Sequence, residues 1–147
     1  MNVRMGSLPT LLFLLAKAAQ SACSVDPTPV AFGVYSPFSS VPTDTAGTLR
    51  VTCSTATVGY TVLLSEGDAG SYAPRRLRGG APTLSYKLYT DPLRTMVWGN
   101  GSGGTANVTG AFALPGAIDH TVYGRVPAQQ NVGAGAYTAT ITVTINF

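Results

Sequence analysis

Few residues of this chain combine the types and the spacing that catalysis requires. His120 is the one histidine among 147 residues, and it follows Asp119, a neighbour able to orient a histidine as a general base. A hydrolase would also need a serine nucleophile, and the sequence contains no Gly-x-Ser-x-Gly motif. The stretch from Pro115 to His120 is typical of a surface turn. We therefore predict that the protein is not an enzyme and has no catalytic residues.

A cluster of three arginines is the strongest candidate for a charged binding site. Arginines in one short stretch can hold an anionic surface or a glycan, but they can equally be solvated side chains of a loop. We favour a loop from Ser65 to Pro82, with one arginine stacked on Tyr72 or Trp98. The three residues are Arg75, Arg76 and Arg78.

The N-terminal residues have the pattern of a secretory signal peptide. A basic start with Arg4 precedes a short apolar run, and small residues precede Ala22. The run is shorter than the about 20 residues that span a bilayer. We predict a signal peptide over 1–21 and a mature domain over 22–147. Cleavage before Cys23 or a lipoprotein site would both be disfavoured by Gln20.

The mature chain is close to neutral and has two cysteines. The net charge of the whole chain is +3, and two of its basic residues, Arg4 and Lys17, precede Ala22. Without them no basic field large enough for nucleic acid remains. An even cysteine count in an exported chain favours a disulfide between Cys23 and Cys53. Two cysteines and one histidine are an incomplete zinc set, so we predict no metal and no cofactor.

The elements that position these residues are predicted to be β-strands only. Short alternating segments follow one another at the spacing of a sandwich, and no long segment of the mature chain has a 3.6-residue period free of Gly and Pro. Glycine-rich Gly99–Gly104 lacks the Lys-Ser/Thr of a phosphate loop and is predicted as a plain loop. We predict one all-β domain. Its strands are marked by Val30, Phe32 and Val34; Leu49, Val51 and Cys53; Tyr60, Val62 and Leu64; Leu84, Tyr86 and Leu88; Val108, Gly110 and Phe112; Thr121, Tyr123 and Arg125; and the segment from Tyr137.

The segment from Tyr137 to Phe147 has the clearest alternation in the chain. Apolar residues occupy every second position, and threonines with one asparagine occupy the others. This pattern predicts a single half-buried strand that either completes the protein's own sheet or is offered to a partner. The apolar face consists of Tyr137, Ala139, Ile141, Val143, Ile145 and Phe147.

A set of short motifs, in this order and spacing, resembles the spore coat protein U domain, the pilin domain of archaic chaperone–usher pili. The resemblance covers essentially the whole mature chain. It implies an immunoglobulin-like β-sandwich that is incomplete, with one strand supplied in trans by a chaperone or a neighbouring subunit. The motifs are Cys23, Phe32-Gly-Val-Tyr35, Val51-Thr-Cys53, Tyr60-Thr-Val-Leu-Leu-Ser65, Leu84-Ser-Tyr-Lys-Leu-Tyr-Thr-Asp91, Val97-Trp-Gly99, Val122-Tyr-Gly-Arg-Val-Pro127 with Gln129 or Gln130, and the closing strand.

The resemblance also implies a function and a set of partners. We expect a structural or adhesive pilus subunit that passes through the periplasm to the cell surface. Its partners would be a periplasmic chaperone, an outer-membrane usher and neighbouring pilin subunits, with no nucleic acid and no transmembrane segment after signal removal. The groove for the chaperone or donor strand would be bordered by Tyr137, Ile141, Val143, Ile145 and Phe147.

One departure from the family pattern bears on the position of the subunit. Polymerising subunits carry an alternating apolar segment before the first cysteine, whereas here only Ala22 or a few small residues separate the predicted cleavage site from Cys23. A donor strand needs about five residues. We therefore expect a subunit that accepts a strand without giving one, at a tip or terminal position. The alternative is a self-complete secreted coat or ligand-binding domain of the same fold.

Overall fold

Alternation of buried and exposed residues governs most of the elements in this protein. The computed structural model describes residues 2–5 and 23–147. In β4 (Thr43–Cys53), for example, Leu49, Val51 and Cys53 are buried, and the residues between them are exposed. The other strands are β1 (Asn2–Met5), β2 (Cys23–Pro27), β3 (Val30–Ala31), β5 (Thr57–Leu64), β6 (Arg75–Arg78), β7 (Thr83–Tyr89), β8 (Val108–Phe112), β9 (Gly116–Val126), β10 (Tyr137–Thr140) and β11 (Val143–Asn146).

The strands of the described ranges form two sheets. The larger has the order β2-β4-β9-β7-β6-β10-β1-β3, and the smaller has the order β11-β5-β8. Neighbouring strands are antiparallel except β1 and β3, which are parallel. Apolar side chains from both sheets form one core that includes Leu49, Val62, Trp98 and Ile141. The all-β sandwich predicted from the sequence is confirmed. Among the described residues no helix is long and apolar enough to cross a bilayer.

A disulfide joins β2, the first strand after the predicted signal peptide, to its neighbour in the sheet, β4. Cys23 begins β2 and lies directly opposite Cys53, the last residue of β4. The two sulfurs are bonded, which confirms the predicted bridge. The bond closes a loop with a sequence separation of 30 residues. In the chain-entropy account a loop of that length stabilises the fold by roughly 3–4 kcal/mol.

The histidine expected in a surface turn lies instead in a strand. β9 begins at Gly116, so both Asp119 and His120 belong to it and pair with β4. The turn prediction failed because the bend that connects β8 to β9 ends at Pro115, and the residues after it are already strand. His120 is half-buried, and its ring packs edge-on against Tyr60.

The loop predicted from Ser65 to Pro82 contains a strand and a short 3₁₀ turn, Gly67–Ala69. β6 pairs with β7 over its full length. Arg75 and Leu77 are buried, whereas Arg76 and Arg78 are exposed. The cluster of arginines is therefore a strand with one inward guanidinium. The expected stacking on Tyr72 is present, since the Arg75 guanidinium lies 5.1 Å from the centre of that ring.

The terminal alternating segment is two strands and not one. β10 belongs to the larger sheet and β11 to the smaller, so the chain changes sheets at Ile141 and Thr142. The alternation of burial continues through the change, from Tyr137 to Ile145. Phe147, predicted on the buried face, is 53% exposed, because it lies beyond the last strand pair.

Part of the predicted signal peptide lies in the described region. Residues 2–5 form β1, which is inserted into the larger sheet. The apolar run from Leu8 to Ala16 and the predicted cleavage site lie outside the described residues. The predicted boundary between 1–21 and 22–147 therefore stays a prediction.

Candidate strand-binding site

The N-terminal strand β1 occupies a slot between β10 and β3. It pairs antiparallel with β10, with Asn2 opposite Thr140 and Met5 opposite Tyr137. On its other edge it runs parallel to β3, with Val3 opposite Val30. Neighbouring strands lie about 4.8 Å apart, so β10 and β3 are separated by about twice that distance. The slot is therefore one strand wide.

The walls of the slot are apolar. Val30 and Phe32 are buried on the β3 side, and Tyr137 and Ala139 are buried on the β10 side. The β3 wall depends on a glycine of β9, since a Cβ on Gly124 would lie 2.8 Å from the Phe32 ring. This close contact explains the glycine in the Val122-Tyr-Gly-Arg motif, because no larger residue fits beneath Phe32.

The β10 wall is held by contacts of Tyr137. Its hydroxyl donates a hydrogen bond to the carbonyl oxygen of Gly133 at 2.6 Å. Its ring lies against Gly79, where a Cβ would come within 2.8 Å of the ring. These two contacts fix the ring at the end of the slot where Tyr137 lies opposite Met5, the last residue of β1.

Beyond β10 the chain continues as β11, and one edge of β11 pairs with no strand of the described ranges. β11 pairs with β5, with Val143 opposite Leu64 and Ile145 opposite Val62. Within the described ranges β5 is the single neighbour of β11. The slot beside β10 is therefore followed by an unpaired strand edge over Val143–Asn146, the kind of edge that accepts another strand.

Ser65 and Arg75 stabilise the region where the chain passes from the larger sheet to the smaller one. The Ser65 hydroxyl accepts a hydrogen bond from the backbone N–H of Thr142 at 2.9 Å, and the Ser65 N–H donates to the Thr142 carbonyl at 3.0 Å. Arg75 donates to the carbonyl oxygens of Ser65 at 2.9 Å and of Trp98 at 2.6 Å. Burial lowers the pKa of Arg75 to about 10, and the group remains charged at neutral pH.

Past the other end of the slot lies a cleft of about 480 Å³. One wall follows β3 in the chain, and the other precedes β10. Val34, predicted to continue the first strand on its buried face, is 77% exposed in this wall, because β3 ends at Ala31. The residues that line the cleft are Val34, Tyr35, Pro37, Phe38, Asn131, Val132, Gly133, Ala134, Gly135 and Tyr137.

Hydrogen bonds fix the loop that forms one side of the cleft. The side-chain amide of Gln130 bridges the backbone of Ser85 in both directions at 2.8 Å. The Tyr35 hydroxyl donates to the Pro127 carbonyl at 3.0 Å and accepts from the Gln130 N–H at 2.7 Å. The sequence motif contained Gln129 and Gln130 without distinguishing them. The structure assigns the bridging role to Gln130, and Gln129 is exposed.

The residues first considered for acid–base chemistry are engaged elsewhere. His120 Nε2 lies 2.8 Å from the Tyr60 hydroxyl, and burial lowers the pKa of His120 although Asp119 acts in the opposite direction. The Asp119 carboxylate lies 3.6 Å from the guanidinium of Arg50. These contacts of His120 and Asp119 indicate packing at the side of the sandwich.

The sequence-predicted groove residues are brought together only in part. Tyr137 lies in the wall of the slot, and Ile141 is buried where the chain changes sheets. Val143 and Ile145 are buried in the smaller sheet. Phe147 is outside this row, and its ring lies 6.5 Å from that of Tyr60. The class of the protein is therefore an all-β sandwich in which a single strand, β1, lies between β10 and β3.

Comparisons with known proteins agree with this description. The family model of the Spore Coat Protein U domain matches residues 9–144, and the chain belongs to that family. It is 40% identical over 128 residues to Protein U of Myxococcus xanthus, an alignment covering 79% of this chain and 70% of that protein.

A solved structure shares the fold. This chain is similar to a chain in the pre-assembly complex of the chaperone CsuC with the tip adhesion subunit CsuE, from the archaic chaperone–usher Csu pili of Acinetobacter baumannii. The TM-score is 0.58 at 21% identity. The alignment covers 85% of this chain and 39% of the matched chain.

Proposed function

We propose that this protein is a subunit of a surface pilus assembled by a chaperone and an usher, and that its slot receives a strand from a partner. Membership of the Spore Coat Protein U domain family and the fold shared with the Csu pre-assembly complex support the proposal. The observation that carries it is the position of β1, a single short strand from the predicted signal peptide that lies between β10 and β3.

Export would open the slot. Cleavage before Ala22, as the sequence predicts, would remove residues 2–5 together with the rest of the signal peptide. The facing edges of β10 and β3 would then lack hydrogen-bond partners, and apolar residues such as Tyr137 and Ala139 would lose cover. A periplasmic chaperone would supply a strand first, and a neighbouring subunit would replace it at the outer-membrane usher.

The proposed position in the fibre is a tip or terminus. The segment between the predicted cleavage site and Cys23 is too short for a donor strand of about five residues. Such a subunit would bind a strand from its neighbour but would not form fibres alone. The same surface-exposed position would suit an adhesive role.

A test of the proposal is to express the chain with and without its cognate chaperone and to isolate it from the periplasm. We expect the protein to accumulate with the chaperone as a one-to-one complex, and N-terminal sequencing to begin at Ala22. A stable monomer that accumulates equally well without the chaperone would contradict the proposal.

A second candidate function is a self-complete secreted coat or ligand-binding domain. The observation that favours it is the same strand, because β1 fills the slot within one chain. This candidate requires residues 2–5 to remain in the mature protein. N-terminal sequencing that begins at or before Asn2 would support it and would exclude the acceptor proposal.

A further inference from the structure

We propose that the outer face of the larger sheet binds an acidic polysaccharide, a chain of sugars that carries a carboxylate on each ring. The site is a row of basic side chains that crosses β6, β7 and β9 on the face turned away from the core. It lies apart from the slot, since none of its residues pairs with β1 or β3. The members of this basic row, in order, are Arg78, Arg76, Lys87 and Arg125.

The strand register brings the four side chains together. Lys87 of β7 lies directly opposite Arg125 of β9. Arg76 of β6 lies opposite Ser85, which is two residues from Lys87 on the same face, and Arg78 is two residues further along β6. A buried residue precedes each member of the row, so all four point away from the core. Neighbouring members are therefore separated by roughly 5–8 Å at their Cβ atoms.

Within the described residues, carboxylates contact only the two ends of the basic row. At one end the Arg125 guanidinium donates two hydrogen bonds to the Asp44 carboxylate, at 2.7 and 2.8 Å. At the other end the Arg78 guanidinium lies 3.8 Å from the Asp68 carboxylate. The charges of the two end residues are thus balanced by the protein itself.

The two central members of the row have no such balance. Neither Arg76 nor Lys87 forms an ion pair in the part of the chain that the structure describes. Arg76 donates a hydrogen bond to the uncharged hydroxyl of Thr83 at 3.3 Å. Lys87 lies opposite Arg125, and like charges in directly opposite positions destabilise a sheet. An anion bound over the centre of the row would replace this repulsion by attraction.

The side chains around the row match a sugar that carries a carboxylate. The planar guanidinium of an exposed arginine such as Arg76 can hold a carboxylate through two parallel hydrogen bonds. Hydroxyl groups lie next to the charges, where they can hydrogen-bond the hydroxyls of a sugar. Ser85 is opposite Arg76, and both Thr83 and Thr138 are opposite Arg78. An extended uronic acid chain presents the same alternation of carboxylates and hydroxyls.

Nucleic acid and membrane surfaces match this face less well. Single-stranded nucleic acid binds with its bases stacked on exposed aromatic rings. The half-buried ring on this face, Tyr123, is already covered by the Arg94 guanidinium at 5.8 Å. Binding to a membrane surface requires exposed apolar side chains beside the basic ones. None of the large exposed apolar residues of the described chain lies in β6, β7 or β9.

The test uses the exported protein, as isolated from the periplasm, and two oligosaccharides of equal length. One is an oligogalacturonate and the other is its methyl ester, which has the same rings without the charges. We expect the free acid to bind at least about tenfold more tightly than the ester, and its binding to weaken as salt screens the exposed charges. Isothermal titration calorimetry measures both affinities.

Matched substitutions locate the binding in the basic row. Arg76→Gln and Lys87→Gln each remove one charge from the centre of the row, and each should weaken binding of the free acid about fivefold or more. Arg50→Gln is the control, because Arg50 is an exposed arginine of β4 that lies outside the row and 3.6 Å from Asp119. It removes the same charge and should weaken binding less than about twofold.

Three outcomes would overturn the proposed site. The first is equal binding of the acid and the ester, including no binding of either. The second is an equal effect of Arg50→Gln and Arg76→Gln. The third is equally tight binding of a DNA oligonucleotide of the same net charge, which would show a basic surface without selectivity. Strand acceptance would be unaffected by any of them, because the basic row does not border the slot.

Discussion

Gln130 and Ser85 are joined by two hydrogen bonds, one in each direction and each 2.8 Å long. The side-chain amide of Gln130 donates to the Ser85 carbonyl and accepts from the Ser85 N–H, so it pairs with β7 as a strand backbone would. A third contact, from the same amide nitrogen to the Pro127 carbonyl at 3.2 Å, closes the loop on itself. The loop that bounds the cleft is thereby fixed to the sheet.

Shortening Gln130 by one methylene should release this loop. Gln130→Asn cannot reach both Ser85 groups, and we expect a loss of about 1–3 kcal/mol in the free energy of unfolding, because half-buried backbone groups lose their partners. Gln129→Asn is the matched control, since Gln129 is exposed and has a positive φ of 58° that asparagine tolerates. Urea denaturation measures the free energy of unfolding of both variants. Equal losses would show that the bridge contributes nothing specific.

Arg75 should be far more important to stability than its neighbour Arg76. The buried guanidinium donates to the carbonyls of Ser65 and Trp98, and a lysine ammonium cannot span both. We expect Arg75→Lys to lower the free energy of unfolding by about 2–4 kcal/mol. Arg76 is exposed, and Arg76→Lys should change the free energy of unfolding by about 0.5 kcal/mol or less. A small effect at Arg75 would mean that the carbonyls are satisfied in another way.

Val143 tests which face of the terminal segment is inside. It is 2% exposed, and Val143→Asp would bury a carboxylate without a partner, at a cost of several kcal/mol. Thr144 is the next residue and is exposed, so Thr144→Asp should cost about 1 kcal/mol or less. Thermal denaturation compares the two variants. If Val143→Asp were as stable as Thr144→Asp, the assignment of the faces would be wrong.

His120 should make stability depend on pH. Burial lowers its pKa from the usual 6.5, so the folded protein binds this proton less tightly than the unfolded chain. The stabilisation is complete above about pH 6.5 and is lost as the pH falls from there through the lower pKa of the folded state. His120→Gln should remove the part of the pH dependence of the unfolding free energy that comes from this histidine. Denaturation of both proteins between pH 5 and 7.5 measures it, and identical slopes would contradict the prediction.

The elements that the sequence predicts well are the half-buried strands, because burial on one face imposes a two-residue period on the residues themselves. β4, β5, β7 and β8 all have that pattern. β6 was missed because its inward residue is an arginine, whose burial depends on carbonyls distant in sequence. β2 was missed because it is short and contains Ser24, Asp26 and Pro27.

The candidate site was predicted in outline and not in geometry. Alternation from Tyr137 onward identified the residues that become the wall of the slot and part of the core, but it continues unchanged where the chain changes sheets. No local pattern marks Ile141 and Thr142 as that point, since the change is fixed by the contact of Thr142 with Ser65. The role of Gln130 depends in the same way on a distant partner, Ser85.

Hydrogen–deuterium exchange of the β10 backbone in the exported protein tests the central claim most directly. An empty slot predicts that the β10 amides facing the place of β1, and not those facing β6, exchange rapidly in the free exported protein and become at least about tenfold slower when a synthetic twelve-residue peptide of alternating threonine and valine is added. The amides of β4, which pairs with β2 and β9, should remain slow in both samples. Slow exchange in β10 without any peptide or chaperone would show that the slot is already filled and would contradict the account.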